Sequence, residues 1–405
     1  MSKIKYRLFT IQYILLFLLV AALLPGCHKQ SSSDSSSIDF CQDSLMKEIL
    51  EKVQEEYVER PDERKMREGA ISGMLNALDP YSTYMNQETY ELFKESTVGE
   101  FGGIGVEVLF MDDSLRVIAP IDDTPAAKAG LQHGDYIVKV DDESITSFTQ
   151  VKLFKKLHGK PGAPVKLTIQ RGDQDPFDLT LERAVITINP IKYKRDGNIG
   201  YIRISYFNEK TTEKLKEAIQ AIQKEGPLSG AIIDLRNNPG GTLDQAVNVT
   251  SLFIDKGKIV EVKSRAPKKN IVYESTDRQE MLRDVPLIVL VNNGSASASE
   301  IMAGALKDHK RAIILGKTTL GKGSVQGLFS LEGRGAIKLT ISRFYTPLGH
   351  EIQGKGIAPD IVVESGPVVS NLVYTKDESK LIADDDQQLN RALDMLKGME
   401  LLKGH

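Results

Sequence analysis

The chain has 405 residues, enough for two or three domains, and a net charge of −3 that gives no basic footprint for nucleic acid. Its two cysteines exclude a disulfide-rich scaffold and a cysteine-based zinc site. Its six histidines include no pair at metal-ligand spacing, so we expect no metal site.

The first residues predict export and a lipid anchor. Basic residues precede an apolar run over 11–24, which is short for a transmembrane helix and typical of a signal peptide. The run ends in Leu-Pro-Gly-Cys, which resembles the bacterial lipobox, in which the cysteine receives a diacylglycerol before cleavage. We therefore predict a signal peptide over 1–26, lipidation of Cys27 and a serine-rich tether over 27–38. A plain signal anchor with an incidental cysteine is the alternative.

Residues 39–97 predict a small helical module. Leu45, Ile49 and Val53 recur at a four-residue spacing with charges between them, which is the pattern of an amphipathic helix. Two more helical stretches follow, with a turn at Asp79-Pro80 between them. Helices of this kind indicate no particular chemistry.

The pattern changes over 98–184 to short strands, turns and two helices, which suits a compact independent domain. This region opens with a glycine-rich segment that Val106 continues as an alternating strand. The segment reads Phe101, Gly102, Gly103, Ile104 and Gly105.

Residues 185–365 alternate strands with helices and predict a largely parallel sheet covered on both faces. Buried strands over 230–235 and 286–291 each lead into a helix. The remaining segment, 366–405, contains a last predicted helix over 387–402, which we expect to cover an edge of the sheet.

Three segments carry the candidate chemistry. They are Arg-Asn-Asn-Pro-Gly-Gly at 236–241, Gly-Ser-Ala-Ser-Ala-Ser-Glu at 294–300 and Gly-Lys-Gly-Ser-Val-Gln at 321–326. The first two follow buried strands, and ligands of α/β sheets bind beyond the carboxyl ends of strands. We therefore expect these turns to lie side by side.

The serine-rich turn supplies hydroxyls with small neighbours, and the helix after it offers unpaired N–H groups to a developing oxyanion. Helix capping and tight packing are the alternative interpretation. The residues alone do not choose among Ser295, Ser297 and Ser299.

Lys322 can act as a general base only when neutral, which costs roughly 4 kcal/mol relative to an exposed lysine and is within the reach of burial. Gln326 could orient it through a hydrogen bond. A solvated charge is the alternative. The stretch 316–322 also resembles a phosphate-binding loop, but Gly323 stands where such a loop needs Ser or Thr.

Together the three segments resemble the C-terminal processing, or tail-specific, serine peptidases in order and spacing, over about 40–365. The resemblance implies Ser297 as nucleophile, Lys322 as general base and Gln326 as the residue that orients the lysine. It also implies an oxyanion hole formed by the N–H of Ala298 and that of one glycine, Gly240 or Gly241. The implied fold is α/β, a crotonase- and ClpP-like peptidase core with an inserted PDZ domain and the N-terminal helical module.

The region 98–184 resembles the circularly permuted bacterial PDZ domain, and 101–105 matches its carboxylate-binding loop. There a free C-terminus binds to backbone N–H groups and the substrate adds as a β-strand. Ile104 and Val106 would help to line the side-chain pocket. Glycines that merely form a hairpin are the alternative.

The sequence thus predicts a serine endopeptidase of the bacterial cell envelope that recognises protein C-termini and is lipid-anchored at one of the two membranes, facing the periplasm. No cofactor is expected. The resemblance also implies self-association, PDZ-gated activity and an activating adaptor. A catalytically inactive PDZ-bearing adaptor is the main alternative, but such a copy would usually have lost Ser297 or Lys322. A crotonase-type acyl-CoA enzyme is the third.

Overall fold

The computed structural model describes residues 44–403 apart from 112–113, 122, 133, 276–280 and 365–385. The predicted signal peptide, Cys27 and the tether lie outside the described residues. The chain divides at Met66 into two units. Among the described residues, no helix is both long and apolar enough to span a bilayer.

The helical module has the three helices that the sequence predicts. They are α1 (Ser44–Glu56), α2 (Glu63–Asn76) and α3 (Gln87–Val98). Asn86 caps α3 by accepting the N–H of Thr89, and Gly99 ends it in the left-handed conformation. A short strand, β1 (Thr83–Met85), precedes α3 and was not predicted.

The second region is a mainly antiparallel sheet in the order β3-β4-β5-β7-β8, with β6 paired to β5, and a separate ribbon of β2 and β9. Its core is a cluster of buried aliphatic residues from the strands and from α5. The elements are β2 (Glu100–Gly103), β3 (Val106–Met111), β4 (Ser114–Pro120), α4 (Pro125–Lys128), β5 (Tyr136–Val140), β6 (Glu143–Ser144), α5 (Gln150–Leu157), β7 (Pro164–Gln170), β8 (Phe177–Glu182) and β9 (Ala184–Thr187).

The third region contains a six-stranded sheet in the order β10-β11-β12-β15-β16-β19. All of its pairs are parallel except β10 with β11, which confirms the predicted parallel sheet. Its elements are β10 (Ile191–Asp196), β11 (Ile199–Ile204), α6 (Thr211–Lys224), β12 (Gly230–Asp234), α7 (Leu243–Ser251), β15 (Leu287–Val291), α8 (Ala298–Asp308), β16 (Ala312–Gly316), β19 (Ile361–Val362) and α9 (Gln387–Lys403).

The two faces of this sheet are covered by different helices. Ala231 and Ile233 of β12 pack with α6, α7 and α8 in one core, whereas Ile232 packs with α9 in another. The expectation that the last helix covers an edge was wrong. Leu389 and Leu393 lie fully buried on the face of the sheet, because alternate residues of the parallel strands are apolar on both sides.

A second sheet of the same region has the order β1-β18-β13-β14, with β17 paired to β18. Its strands are β13 (Lys258–Ser264), β14 (Ile271–Glu274), β17 (Ser324–Ser330) and β18 (Ala336–Tyr345). Residues 317–323, between β16 and β17, form a loop and not the helix that a phosphate-binding loop requires. Thus β1 of the helical module joins the hairpin of β17 and β18, which immediately follows Lys322.

Candidate active site

The two predicted turns lie side by side because β12 and β15 are parallel neighbours. Three asparagines join them. Asn292 accepts the backbone N–H of Asn237 at 2.9 Å and donates its amide to the Asn237 side chain at 2.8 Å. The carbonyl of Asn238 accepts the N–H of Ala296 at 3.0 Å. The sequence analysis missed these asparagines, although their position directly after the buried strands was a usable signal.

Arg236 holds the turn at 236–241 in place through two ion pairs. Its guanidinium contacts the fully buried Asp234 at 2.7 Å and Asp386, before α9, at 2.7 Å. Burial raises the pKa of Asp234, but the charge of Arg236 outweighs it and holds that pKa below its usual value. Arg236 therefore ties the turn to the helix behind the sheet.

The structure distinguishes the three serines. Ser295 is fully buried, donates to the carbonyl of Leu235 at 2.8 Å and accepts the N–H of Asn292 at 3.0 Å. Ser299 is also fully buried and donates to the carbonyl of Asn238 at 3.0 Å. Ser297 alone is partly exposed, and its φ of 56° and ψ of −111° are strained for a non-glycine residue. The first two hydroxyls thus have structural partners, and the third lies at the surface of the site.

Backbone donors lie beside Ser297. Ala298 is the first residue of α8, so its N–H is one of the unpaired groups of a helix N-terminus. Gly240 lies against it, because a Cβ on Gly240 would fall 2.9 Å from the Ala298 nitrogen and 2.8 Å from the Ser297 Cβ. Only glycine permits that approach, at a φ of 105°.

The two glycines differ in their hydrogen bonds. The N–H of Gly240 donates to the Asn238 side chain at 2.9 Å. No partner among the described residues accepts the N–H of Gly241, whose Cβ, if present, would collide with the carbonyl of Phe207. The geometry therefore favours Gly241 as the free donor and gives Gly240 the role of close packing.

Glu300 connects the serine turn to the lysine loop. Its carboxylate accepts the backbone N–H groups of Ser297 at 2.7 Å, Gly321 at 2.6 Å and Lys322 at 2.9 Å, and the hydroxyl of Thr319 at 2.6 Å. Burial raises the pKa of Glu300, although these four donors favour its charged form. The residue is fully buried and was not among the predicted site residues, although a capping-box position three residues after Ser297 was a signal for it.

Lys322 is half-buried on the loop that Glu300 holds. Burial lowers its pKa, and the neighbouring charge of Lys338 lowers it further, against the opposing effect of Glu300. Its Nζ lies 5.2 Å from the ring centroid of Tyr81 and makes no hydrogen bond with a described residue. A lysine in such surroundings is suited to lose its proton.

Gln326 lies on β17, beside this loop. Its amide Nε2 donates to Ser324 at 3.0 Å and to Thr340 at 2.8 Å. Its Oε1 is buried and has no hydrogen-bond partner among the described residues. That oxygen is the acceptor that an ammonium or a neutral amine needs, so its unpaired state is compatible with the predicted role of Gln326 as an orienting residue.

The glycine-rich segment of the second region is built into its framework. Ile104 is 2% exposed and belongs to the core, and the carbonyl of Gly105 accepts the hydroxyl of Thr124 at 2.9 Å. Phe101 stacks on His158 at 4.2 Å, just beyond α5. Val106 packs partly buried against the same core.

The strand that follows offers a place for a peptide. Within the described part of the chain β3 pairs with β4 and with no other strand, so its other edge is free. The side chains of Phe110, Leu115, Leu153, Phe154 and Leu157 form an apolar surface between β3, β4 and α5, packed too closely to leave room for a water-sized sphere. A free edge beside an apolar helix is the geometry of strand addition.

Among the residues that the structure describes, no group of three or more His, Cys, Asp or Glu side chains could hold a metal ion. The reacting groups that the geometry does assemble are a strained serine, backbone N–H donors and a half-buried lysine.

Three family models match the chain. Residues 198–363 match peptidase family S41, residues 102–181 match the PDZ domain, and residues 26–89 match the N-terminal domain of the activating protease CtpB. The PDZ match covers β3 and α5.

Relatives from other bacteria are similar over about three quarters of their length. A carboxy-terminal-processing protease of Bartonella bacilliformis is 48% identical over 78% of this chain and 74% of its own. A probable CtpA-like serine protease of Staphylococcus aureus is 34% identical over 93% of this chain and 74% of its own. Among solved structures, a putative S41 protease from Bacteroides fragilis covers 84% of this chain and 91% of its own, with 16% identity and a TM-score of 0.50, and so supports the fold alone.

Proposed function

The chain belongs to peptidase family S41 and is a carboxy-terminal-processing serine protease, and from that premise we propose that Ser297 and Lys322 cleave proteins whose C-termini bind its PDZ domain. One observation carries the proposal. A single carboxylate oxygen of Glu300 accepts hydrogen bonds from the backbone N–H groups of both Ser297 and Lys322, at 2.7 and 2.9 Å.

In this mechanism neutral Lys322 takes the proton of the Ser297 hydroxyl, and the oxygen attacks the peptide carbonyl. The N–H groups of Ala298 and Gly241 stabilise the oxyanion. Lys322 returns the proton to the leaving amine, and water then hydrolyses the acyl-enzyme with the same lysine as base. The lowered pKa of Lys322 supports its role, because a base must be unprotonated near neutral pH.

In this proposal the PDZ domain selects the substrate. An extended C-terminal segment adds to the free edge of β3, and its last side chain packs on the apolar surface beside α5. The terminal carboxylate binds to backbone N–H groups of the segment 101–105. Preferred substrates therefore end in an apolar residue and have an unfolded C-terminal tail.

The cell envelope is the proposed place of action. A signal peptide over 1–26 and a lipid on Cys27 would tether the enzyme to a membrane on its periplasmic side, where it would process envelope proteins. Self-association and an activating adaptor, which the resemblance to the tail-specific peptidases implies, complete the proposal.

The test is cleavage of an unfolded protein by the purified chain in detergent, with products mapped by mass spectrometry. Ser297→Ala is expected to abolish cleavage. Ser299→Ala, the same chemical change at a buried hydroxyl, is the matched control and is expected to keep at least about a tenth of the activity. Equal cleavage by wild type and Ser297→Ala would refute the proposal. Because the PDZ domain could gate activity, each assay includes a peptide with an apolar C-terminus.

A further inference from the structure

The turn at 79–83 of the helical module lies against the hairpin that follows the catalytic lysine. β1 pairs with β18 in the register Thr83 with Lys338. The hydroxyl of Tyr84 donates to the carbonyl of Arg334 at 2.7 Å, and Gln87 accepts the N–H of Gly335 at 3.1 Å. Hydrogen bonds thus join two segments that lie about 250 residues apart in the chain. They fix the turn relative to the hairpin that follows Lys322.

The turn is held by hydrogen bonds of Asp79 and Ser82. The carboxylate of Asp79 accepts the backbone N–H groups of Tyr81 and Ser82, each at 2.8 Å, and the hydroxyl of Ser82 at 3.0 Å. Ser82 is 1% exposed and accepts the N–H of Thr340 on β18 at 3.1 Å. These hydrogen bonds connect the turn that carries Tyr81 to β18 of the hairpin that follows Lys322.

Two aromatic rings of the module face the two lysines of the site. The Tyr81 ring lies 5.2 Å from Nζ of Lys322, and the Phe93 ring of α3 lies 5.7 Å from Nζ of Lys338. Since a ring face attracts a cation, each ring favours the charged form of its lysine. A base that takes a proton becomes a cation during the reaction, so the Tyr81 ring supports the charge that develops on Lys322.

The same turn reaches the orienting amide. Thr340, whose N–H is held by Ser82, accepts the Nε2 of Gln326 at 2.8 Å through its hydroxyl. The amide of Gln326 thus presents its NH₂ group to Thr340, and its Oε1 stays free for a donor.

We propose that Tyr81 is a positioning residue for the catalytic base. Its ring holds and stabilises the Lys322 ammonium that forms when Ser297 is deprotonated, so the turn at 79–83 completes the active site of the peptidase core. The inference rests on the proposed Ser–Lys mechanism. The charged groups that face Lys322 are Lys338 of β18, which opposes its charge, and Glu300 of α8, which favours it.

The test measures kcat, KM and the pH profile of the purified full chain in detergent for Tyr81→Leu and Tyr81→Phe. The leucine keeps an apolar wall without the ring face. We expect kcat to fall about tenfold with KM within about twofold, and the acid limb of kcat to move to lower pH because the ammonium is less stable. Tyr81→Phe keeps the ring and should restore both values to within about threefold.

Tyr90→Leu is the matched control, since it removes a ring of α3 that lies against Lys94 and not against Lys322, and its acid limb should not move. Tyr81→Met replaces the leucine variant if circular dichroism shows that the latter does not fold. An unmoved acid limb in a folded Tyr81→Leu or Tyr81→Met protein, or a move to higher pH, would overturn the proposal. A Lys322→Arg variant assayed in parallel distinguishes failure of this inference from failure of the mechanism, because its activity would contradict the mechanism itself.

Discussion

Ser297 and Lys322 donate their backbone N–H groups to the same oxygen, Oε2 of Glu300, at 2.7 and 2.9 Å. The nucleophile turn and the base loop are therefore one hydrogen-bonded unit, although they come from different strand ends. Replacing Glu300 by Gln keeps the shape but puts an NH₂ group against N–H donors. Because hydrogen bonds to a charged group contribute about 1.5–3 kcal/mol, we predict a loss of kcat of more than tenfold and a lower Tm.

The control is the same change at an exposed glutamate, Glu332→Gln, which should alter neither kcat nor Tm. Enzyme assays and thermal unfolding monitored by circular dichroism check both. Wild-type kcat in Glu300→Gln would show that the shared acceptor does not hold the site together.

The sequence predicted the parallel sheet, because β12 and β15 are continuous apolar runs with glycine- or serine-rich turns after them. It also predicted which turns meet. It could not choose among Ser295, Ser297 and Ser299, because the difference lies in burial and in long-range partners such as Leu235 and Asn238.

Tyr81 and Thr340 were missed for a related reason. Tyr81 reaches Lys322 only through the pairing of β1 with β18, which joins segments far apart in the chain. β1 has three residues and no distinct hydrophobic pattern, so its partner could not be read from the sequence. The C-terminal helix was placed at an edge because its apolar face is visible in the sequence but the face it covers is not.

A lysine can act as base only if it can become neutral, and a guanidinium in a protein cannot. Lys322→Arg is therefore predicted to lose at least about 1,000-fold in kcat while keeping its fold and its binding of peptide C-termini. Lys317→Arg, on the same loop but outside the site, is the control and should be as active as wild type. The measurement is cleavage of an unfolded protein, with circular dichroism for folding. Substantial turnover by Lys322→Arg would refute the Ser–Lys mechanism.

The pH dependence of kcat should change when the charged neighbour of Lys322, Lys338, is replaced. Lys338 lowers the pKa of Lys322 by repulsion between like charges. Lys338→Met removes that charge, so the pKa of Lys322 should rise and the acid limb of kcat should move to higher pH, by up to about one unit. Lys338→Arg keeps the charge and should leave the limb in place. A limb that moves to lower pH in Lys338→Met would contradict this assignment.

The lipobox predicts acylation of Cys27. Cys27→Ser removes the thiol that would accept the diacylglycerol, so metabolic labelling with a fatty acid should give a labelled wild-type protein and an unlabelled variant. Cys41→Ser, at the other cysteine of the chain, should remain labelled. Equal label on wild type and Cys27→Ser would show that the anchor is not there.

The free edge of β3 and the segment 101–105 predict recognition of a terminal carboxylate. Binding is measured by fluorescence anisotropy with the Ser297→Ala chain, so that the peptide is not consumed. A peptide with an apolar last residue should bind, and amidating its C-terminus should raise Kd roughly tenfold to a hundredfold, since hydrogen bonds to a charged group contribute about 1.5–3 kcal/mol. Acetylating the N-terminus of the same peptide removes a charge at the other end and should leave Kd unchanged. Replacing the last residue by Asp should weaken binding as well, because the surface beside α5 is formed by Phe110, Leu153 and other apolar side chains. If the amidated and free peptides bind equally, the segment 101–105 is not a carboxylate site, and substrate selection must reside in the cleft around Ser297.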